Sequence, residues 1–200
     1  MMANKYNYEK YKEMLKKMLS PKRFNHSVNV ADVAEDLAKH YGLDSGKAKI
    51  AGLLHDICKE LPTEENEKLV SENDKNRICS PKILHGFAGS EYMRNELGIT
   101  DEEILNAVKY HTVGRKNMTT FEKVISISDY TSPERKWPDV RKTRELAYEN
   151  LDLALIKKFS TEIISCIKKG YRVSLDTVDA YNYLILNQKE IKNEFARKSN

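Results

Sequence analysis

Residues 50–58 read IAGLLHDIC and place a histidine and an aspartate inside the most apolar segment of the first half of the chain. A helix start at Asp44 precedes this run, and the pattern predicts a helix that continues through about Glu60. Ionisable side chains are costly to bury unless they are paired or bind a metal. His55 and Asp56 are therefore the first candidate functional residues.

Helix-sized segments continue on both sides of this run. The 200 residues include only eight Gly and five Pro, and the alternation typical of strands is scarce. Start and stop signals predict helices over 5–19, from Ser20-Pro21 to about His40, from Thr63, and from Ser80-Pro81 to Leu97. Two capping boxes predict further helices, one from Thr100 and Glu103 to near His111 and one from Thr119 and Glu122. The last predicted helices cover about 140–169, with a break near Asn150, and 175–196. The predicted fold is all-α. We expect a single domain over 1–200, with a motif core at about 20–135 and C-terminal helices 140–196 packed on it.

The composition excludes several classes of protein. The 34 Lys and Arg residues against 30 Asp and Glu give a net charge of +4, and because both signs are interspersed no nucleic-acid partner is expected. The mean hydropathy is −0.65, and no stretch approaches the roughly 20 apolar residues of a membrane span. Three cysteines without a CxxC pair suit a reducing compartment. We expect a cytoplasmic protein with no membrane partner.

Four of the five histidines and two aspartates lie on predicted apolar faces: His26, His55, Asp56, His85, His111 and Asp129. One buried histidine is more often a satisfied core residue, but metal binding explains all six together. Imidazole and carboxylate without thiolate suit iron, manganese, zinc or cobalt. Six ligands fit two ions that share a bridging carboxylate, and Asp56 is the natural bridge because it follows His55 directly. His40, at a helix end, and Cys58, a small core residue, are left out of the site.

Basic residues recur beside these six positions: Arg23, Lys59, Arg115, Lys116 and Arg135. Each alone is more often a solvated surface residue. Their repeated placement beside candidate metal ligands predicts a pocket for several phosphates, in which arginine makes bidentate contacts. No glycine-rich phosphate loop is present, so phosphate recognition would depend on metals and side chains.

Five motifs in this order resemble the YqeK-type HD-domain hydrolase family of symmetrical bis(5'-nucleosyl)-tetraphosphatases: RFNHSVNVA (23–31), AGLLHDICKELP (51–62), ILHGFAGSEY (83–92), VKYHTVGRKNM (108–118) and ISDYTSPER (127–135). A late VDAYNYLI (178–185) extends the resemblance, which covers about residues 15–188. It implies an HD-domain helical bundle with a metal site in its core, a di-iron centre, and hydrolysis of diadenosine tetraphosphate to two ADP.

The resemblance also implies roles for individual residues. The metal ligands would be the six residues named above, and the nucleotide would contact Arg23, Lys59, His85, His111, Thr112, Gly114 and Arg135. One departure is that residues 111–114 read HTVG where the family often has HTTG, so position 113 lacks a hydroxyl.

The predicted function is a metal-dependent phosphohydrolase that cleaves a dinucleoside polyphosphate through a metal-bound hydroxide. Asp56, Lys59, Arg23 and Arg135 would carry the catalysis. The alternatives are an HD-domain nucleotidase or phosphodiesterase acting on another nucleotide, and a di-iron oxygenase, against which the surplus of Arg and Lys argues. A binding module would need a missing ligand, and none is missing. Three alternatives stay open at this point: which dinucleoside polyphosphate or mononucleotide is the substrate, which metal is bound, and whether the chain forms a homodimer.

Overall fold

Eleven α-helices follow one another in the computed structural model, which describes residues 6–188, and no strand occurs within that range. The predicted all-α class is confirmed. None of these helices is both long and apolar enough to cross a membrane. The helices are α1 (Tyr8–Met18), α2 (Pro21–His40), α3 (Ser45–Leu54), α4 (Thr63–Leu69), α5 (Glu72–Lys75), α6 (Pro81–Asn95), α7 (Glu102–Tyr110), α8 (Thr120–Thr131), α9 (Val140–Glu149), α10 (Leu151–Lys168) and α11 (Leu175–Asn187).

One hydrophobic core joins the described helices. In it, α2 packs along α3 and α8, α6 packs on α7, and α7 packs on α8. The outer face of α8 is covered by α9 and α10, and α11 packs against α10. The motif-bearing helices are therefore gathered around α8, with the C-terminal helices outside them.

Two glycines let the site-bearing helices approach each other backbone to backbone. A Cβ atom at Gly52 of α3 would lie 2.9 Å from the Cα atom of Ala31 in α2. A Cβ atom at Gly86 of α6 would lie 2.9 Å from the carbonyl oxygen of Lys109 in α7. Both distances are shorter than any real contact, so larger residues would push these helix pairs apart.

Several predicted boundaries agree with the structure. The capping box of Thr119 and Glu122 is present with both of its hydrogen bonds. The break at Asn150 separates α9 from α10, and the Asn150 side chain accepts from the backbone N–H of Leu153. The predicted helix over 175–196 is observed as α11 through Asn187, and its part beyond residue 188 lies outside the described residues.

Two predicted boundaries are wrong. The predicted helix through Glu60 ends at Leu54, because the chain tightens there into turns with i to i+3 hydrogen bonds, such as the one from the Lys59 N–H to the Asp56 carbonyl (2.9 Å). The predicted box at Thr100 is also wrong, since Asp101 caps α7 and accepts from the Glu103 N–H instead. The single-turn α5 has no counterpart among the predicted helices.

Candidate metal and phosphate site

All six predicted ligand residues meet in one buried cluster. His26 comes from α2, His85 from α6 and Asp129 from α8. His111 is the first residue after α7, in agreement with the helix predicted to end near it. His55 is the first residue after α3 and Asp56 follows it, so these two do not lie within a helix as predicted. The four histidines and Asp56 are at most 5% exposed. The structure therefore brings together in one place the donor atoms that the sequence predicts for a metal centre.

The two carboxylate oxygens of Asp56 divide the four histidines into pairs. Oδ1 lies 3.0 Å from His85 Nε2 and 3.7 Å from His111 Nε2. Oδ2 lies 3.4 Å from His55 Nε2 and 3.7 Å from His26 Nε2. Within each pair the Nε2 atoms are close, at 3.1 Å for His85 and His111 and 3.3 Å for His26 and His55. This is the arrangement expected of a carboxylate that bridges two positively charged centres.

His55 and His111 are oriented by the same device at the ends of their helices. The Nδ1–H of His55 donates to the carbonyl oxygen of Gly52, and that of His111 to the carbonyl oxygen of Val108, both at 2.7 Å. A carbonyl can only accept, so the proton is on Nδ1 and the lone pair of Nε2 faces the cluster when the ring is neutral. Lone pairs directed at one another favour a cation between them, and the donor set fits a divalent metal.

A carboxylate that sequence reasoning missed supports His26 from behind. Glu134 contacts the Nδ1 atom of His26, and it also accepts from Asn29 Nδ2 (2.8 Å) and Ser132 Oγ (2.7 Å). Burial opposes the ionisation of Glu134, but these partners lower its pKa to about 2. A carboxylate behind a ligating histidine fixes the ring and strengthens it as a ligand.

The charges of the cluster suit a cation. Burial opposes the ionisation of Asp56 and Asp129, yet the hydrogen bonds and charges of the surrounding histidines hold the pKa of each carboxyl well below its usual range. Burial, with the charges of His55 and His85, holds the pKa of His111 well below its usual range. Ionised carboxylates and a neutral His111 are the forms that bind metals. Burial opposes the protonation of His55, but the charge of Asp56 and its hydrogen bond raise the pKa of this ring, so a metal bound there would displace a proton.

Two groups of three side chains bring one ligand atom each within 4.8 Å of the others: His26, His55 and Asp129, and His55, Asp56 and His111. Asp129 Oδ1 lies 3.1 Å from His26 Nε2, which places it with the first histidine pair. The cluster can therefore hold metal, as proteins with an HD domain do.

Two of the predicted phosphate-binding cations are already paired with the carboxylates of the cluster. Arg23 Nη1 lies 2.6 Å from Asp56 Oδ2, and Arg135 Nη2 lies 2.5 Å from Asp129 Oδ1. The guanidinium groups therefore reach the same oxygen atoms that a metal would bind. An arginine that shares its carboxylate with a metal has donors left for a phosphate on the open side.

Lys59 differs from both arginines. Its Nζ atom lies 3.2 Å from His85 Nδ1, and among residues 6–188 no carboxylate oxygen is within 4.0 Å of it. Burial lowers the pKa of Lys59, the charge of Asp56 and that of Asp129 oppose this shift, and the charges of Arg23 and Arg135 add to it. Lys59 is thus a half-buried cation beside the cluster that lacks an anionic partner in the protein.

The turn after His111 divides the remaining predicted residues. Thr112 belongs to the cluster, since its Oγ1 atom lies 3.0 Å from His111 Nε2. Arg115 does not reach the cluster as predicted, because Glu122 holds its guanidinium at 2.7 Å, and Lys116 is exposed. The backbone of Gly114 has a φ of +69°, and a Cβ atom there would lie 2.5 Å from Phe159, so the contacts of this glycine are those of packing.

An open cleft of about 740 Å³ begins at Thr112 and runs between α8 and the turn that joins α10 to α11. Tyr130, Trp137 and Tyr171 line it, with Lys82, Lys169 and Arg172. The Trp137 ring lies 4.8 Å from the guanidinium of Arg135, which links the cleft to the cluster. Trp137 Nε1 and Ser174 Oγ are buried without a hydrogen-bond partner among the described residues. Aromatic faces beside basic side chains suit a planar ligand that carries negative charge.

The chain matches the family model described as the HD domain over residues 23–134. It is 37% identical over 186 residues to the symmetrical bis(5'-nucleosyl)-tetraphosphatase of Halalkalibacterium halodurans, across 92% of this chain and 100% of the relative. The corresponding protein of Staphylococcus aureus is 38% identical over 193 residues, across 94% and 100%. The crystal structure of a protein from Clostridium acetobutylicum, described as a predicted HD superfamily hydrolase involved in NAD metabolism, has a TM-score of 0.85 and 38% identity. It covers 92% of this chain and 99% of its own.

Proposed function

This chain belongs to the HD-domain family, in its group of symmetrical bis(5'-nucleosyl)-tetraphosphatases, and we propose that it cleaves diadenosine tetraphosphate into two molecules of ADP. The observation that carries this proposal is the division of the cluster by Asp56. One carboxylate faces two pairs of histidines, and the unpaired cation Lys59 stands beside it. Metal-binding donors and phosphate-binding cations thus share one site.

We infer that this site holds two divalent ions, iron in the first place, with manganese, cobalt or zinc as alternatives. His26, His55 and Asp129 would hold one ion and His85 and His111 the other, with Asp56 between them. When bound, such ions supply Lewis-acid activation of a water molecule and of a phosphoryl oxygen.

The side chains of this chain would divide the work on the substrate. Lys59 lacks a carboxylate partner and would neutralise the phosphoryl group under attack, while Arg23 and Arg135 would bind flanking phosphates with their free N–H groups. The Thr112 hydroxyl, 3.0 Å from His111 Nε2, would donate to a phosphate oxygen at the entrance of the cleft. Cations held in a partly desolvated site stabilise developing charge more than they would in water.

The cleft next to Thr112 would bind one nucleoside of the substrate. The ring centroids of Tyr130 and Trp137 lie 5.1 Å apart, and the two rings offer an apolar surface for a base. Arg135 contacts both Trp137 and Asp129, so a nucleoside in the cleft would direct its phosphates toward the cluster.

Product analysis tests the proposed reaction. Protein purified without oxygen is incubated with diadenosine tetraphosphate, and the nucleotides are separated by ion-exchange chromatography. We expect ADP alone. Equal amounts of ATP and AMP would mean that the attack falls on an outer phosphate, and faster turnover of a mononucleotide at equal concentration would favour a nucleotidase.

Metal analysis of the same protein tests the ions. We expect two ions per chain in the active preparation and loss of hydrolysis when a chelator removes them. One ion per chain with full hydrolysis would leave His85 and His111 as substrate-binding residues and would refute the dinuclear site.

A further inference from the structure

A buried lysine that no motif indicated lies directly behind the cluster. Lys158 is in the middle of α10 and is 1% exposed. Its Nζ atom donates to the carbonyl oxygens of His111 and Thr112, both at 2.9 Å, and to Ser126 Oγ at 2.8 Å. The three N–H groups of the ammonium are therefore all used, and the nearest carboxylate oxygen, on Glu162, is 3.6 Å away.

Burying a charged group costs free energy unless hydrogen bonds or an opposite charge compensate for the lost hydration. α7 ends at Tyr110, and the last carbonyl groups of a helix have no partner within it. Lys158, from α10, donates to the carbonyl groups of the two residues that follow α7, and a positive charge at this end of a helix is also favoured by the helix dipole. Ser126 Oγ donates to the same His111 carbonyl at 2.7 Å, so two side chains hold this one backbone group.

We propose that Lys158 is a positioning residue that fixes His111 and Thr112 for the reaction. The His111 carbonyl is held by Lys158 and Ser126, while its ring is held by the Val108 carbonyl, so its Nε2 atom has little freedom to leave the cluster. This inference rests on the proposed function, since His111 and Thr112 are assigned to the site there. Outer residues that orient a ligand typically change metal affinity or activity about 10- to 100-fold.

The alternative is that Lys158 only ties α10 to the helices beneath it. Lys123 provides the matched comparison, because it also joins α8 to α10, through a 2.5 Å contact with Asp152, and its side chain is 16% exposed. Lys158→Met and Lys123→Met remove the same group from two such ties. If Lys158 only stabilises the packing of α10, the two variants should have similar kcat/KM values once folded.

The deciding experiment is a double-mutant cycle with His111→Asn, measured as kcat/KM for diadenosine tetraphosphate on the metal-loaded protein. We expect Lys158→Met to lower kcat/KM about 10- to 100-fold in the parent and less than about threefold in the His111→Asn background, because interacting residues are not additive. Lys123→Met should change it less than about twofold in both backgrounds. Equal losses from Lys158→Met in both backgrounds, or no loss in the parent, would overturn the proposal.

Two further measurements keep the test decisive. If Lys158→Met does not fold, as judged by circular dichroism, Ser126→Ala replaces it in the cycle under the same criterion, since it removes the other hold on the His111 carbonyl. If the parent itself does not hydrolyse diadenosine tetraphosphate, the proposed function fails. The double-mutant cycle then uses the dissociation constants of Mn²⁺, titrated into the metal-free proteins, in place of kcat/KM. A metal-binding loss from Lys158→Met that persists in His111→Asn would then refute the positioning role.

Discussion

Replacing Lys59 with methionine tests whether the cations of the cluster bind phosphate. Methionine keeps the apolar stem of the side chain and removes its charge. Lys59 Nζ has no carboxylate within 4.0 Å among residues 6–188, so the change leaves no carboxylate of the protein without its partner. The same change at Arg23 would free Asp56 and confuse the result. The effect of Lys59→Met therefore reports on contact with the substrate.

The expected size follows from the kind of contact that is lost. A hydrogen bond to a charged group contributes about 1.5–3 kcal/mol, which corresponds to a loss of roughly 10- to 200-fold in kcat/KM. At saturating metal the metal content should stay that of the parent, because a protonated lysine is not a metal ligand and removal of its charge does not weaken cation binding.

Steady-state hydrolysis of diadenosine tetraphosphate below KM measures this loss. The control is Lys142→Met, which makes the same change in net charge at a side chain that is 78% exposed, and it should alter kcat/KM less than about twofold. Parental hydrolysis by Lys59→Met, or an equal loss in Lys142→Met, would refute the reasoning.

Three further outcomes are expected. Asp56→Ala should lower metal content and turnover together, because the residue faces both histidine pairs, and a variant that keeps two ions per chain and hydrolyses normally would contradict the bridge. His40→Ala should keep kcat/KM within about twofold, since His40 is the last residue of α2 and its ring bonds the backbone carbonyl of Tyr148 in α9, whereas His85→Ala should lower kcat/KM at least ~100-fold; similar losses at both would mean that the wrong histidines are assigned. Cys58 should resist a disulfide reagent at pH 8 until the protein unfolds, because burial raises its pKa to about 12; rapid labelling of three thiols in the folded protein would refute this.

The sequence predicts the helices and the six clustered residues because both depend on local patterns. Apolar periodicity and capping residues set the helices, and ionisable residues on apolar faces point to the core. The end of α3 does not follow from such patterns. The segment after Leu54 reads as more helix, but in the fold the His55 ring bonds the Gly52 carbonyl, and the turns that follow bring Asp56 between the histidine pairs.

The residues that support the cluster from behind depend on contacts across long stretches of chain. Glu134 meets His26 over a separation of 108 residues, and Lys158 meets His111 over 47. Each is a charged residue, for which the common interpretation is solvated surface. Only the packing of α10 on α8, and of the segment after α8 beside α2, gives them their roles.

The two histidine pairs of the cluster differ in the charged side chains near them, and this difference predicts how metal ions bind. The half with His26 and His55 contains the carboxylates of Asp129 and Glu134, and their charge is partly offset by Arg135 and Arg23, which pair with Asp129 and Asp56. The half with His85 and His111 has the ammonium groups of Lys59 and Lys158 nearby, so its surroundings are more positive. At an effective dielectric constant of about 20, one unit charge about 6 Å from another contributes roughly 3 kcal/mol, which is about two orders of magnitude in affinity.

Metal ions should therefore bind in two steps. The first, tighter ion should occupy the carboxylate-supported half, and phosphate should be attracted to the half that the two lysines support. Titration of Mn²⁺ into the metal-free protein should resolve two dissociation constants at least ~10-fold apart, and Asp129→Asn should weaken the tighter step. Inorganic phosphate should tighten only the weaker step, because an anion beside Lys59 offsets the repulsion that opposes the second cation there. Two equal steps that phosphate does not change would mean that the unequal surroundings of the two histidine pairs do not control their occupancy.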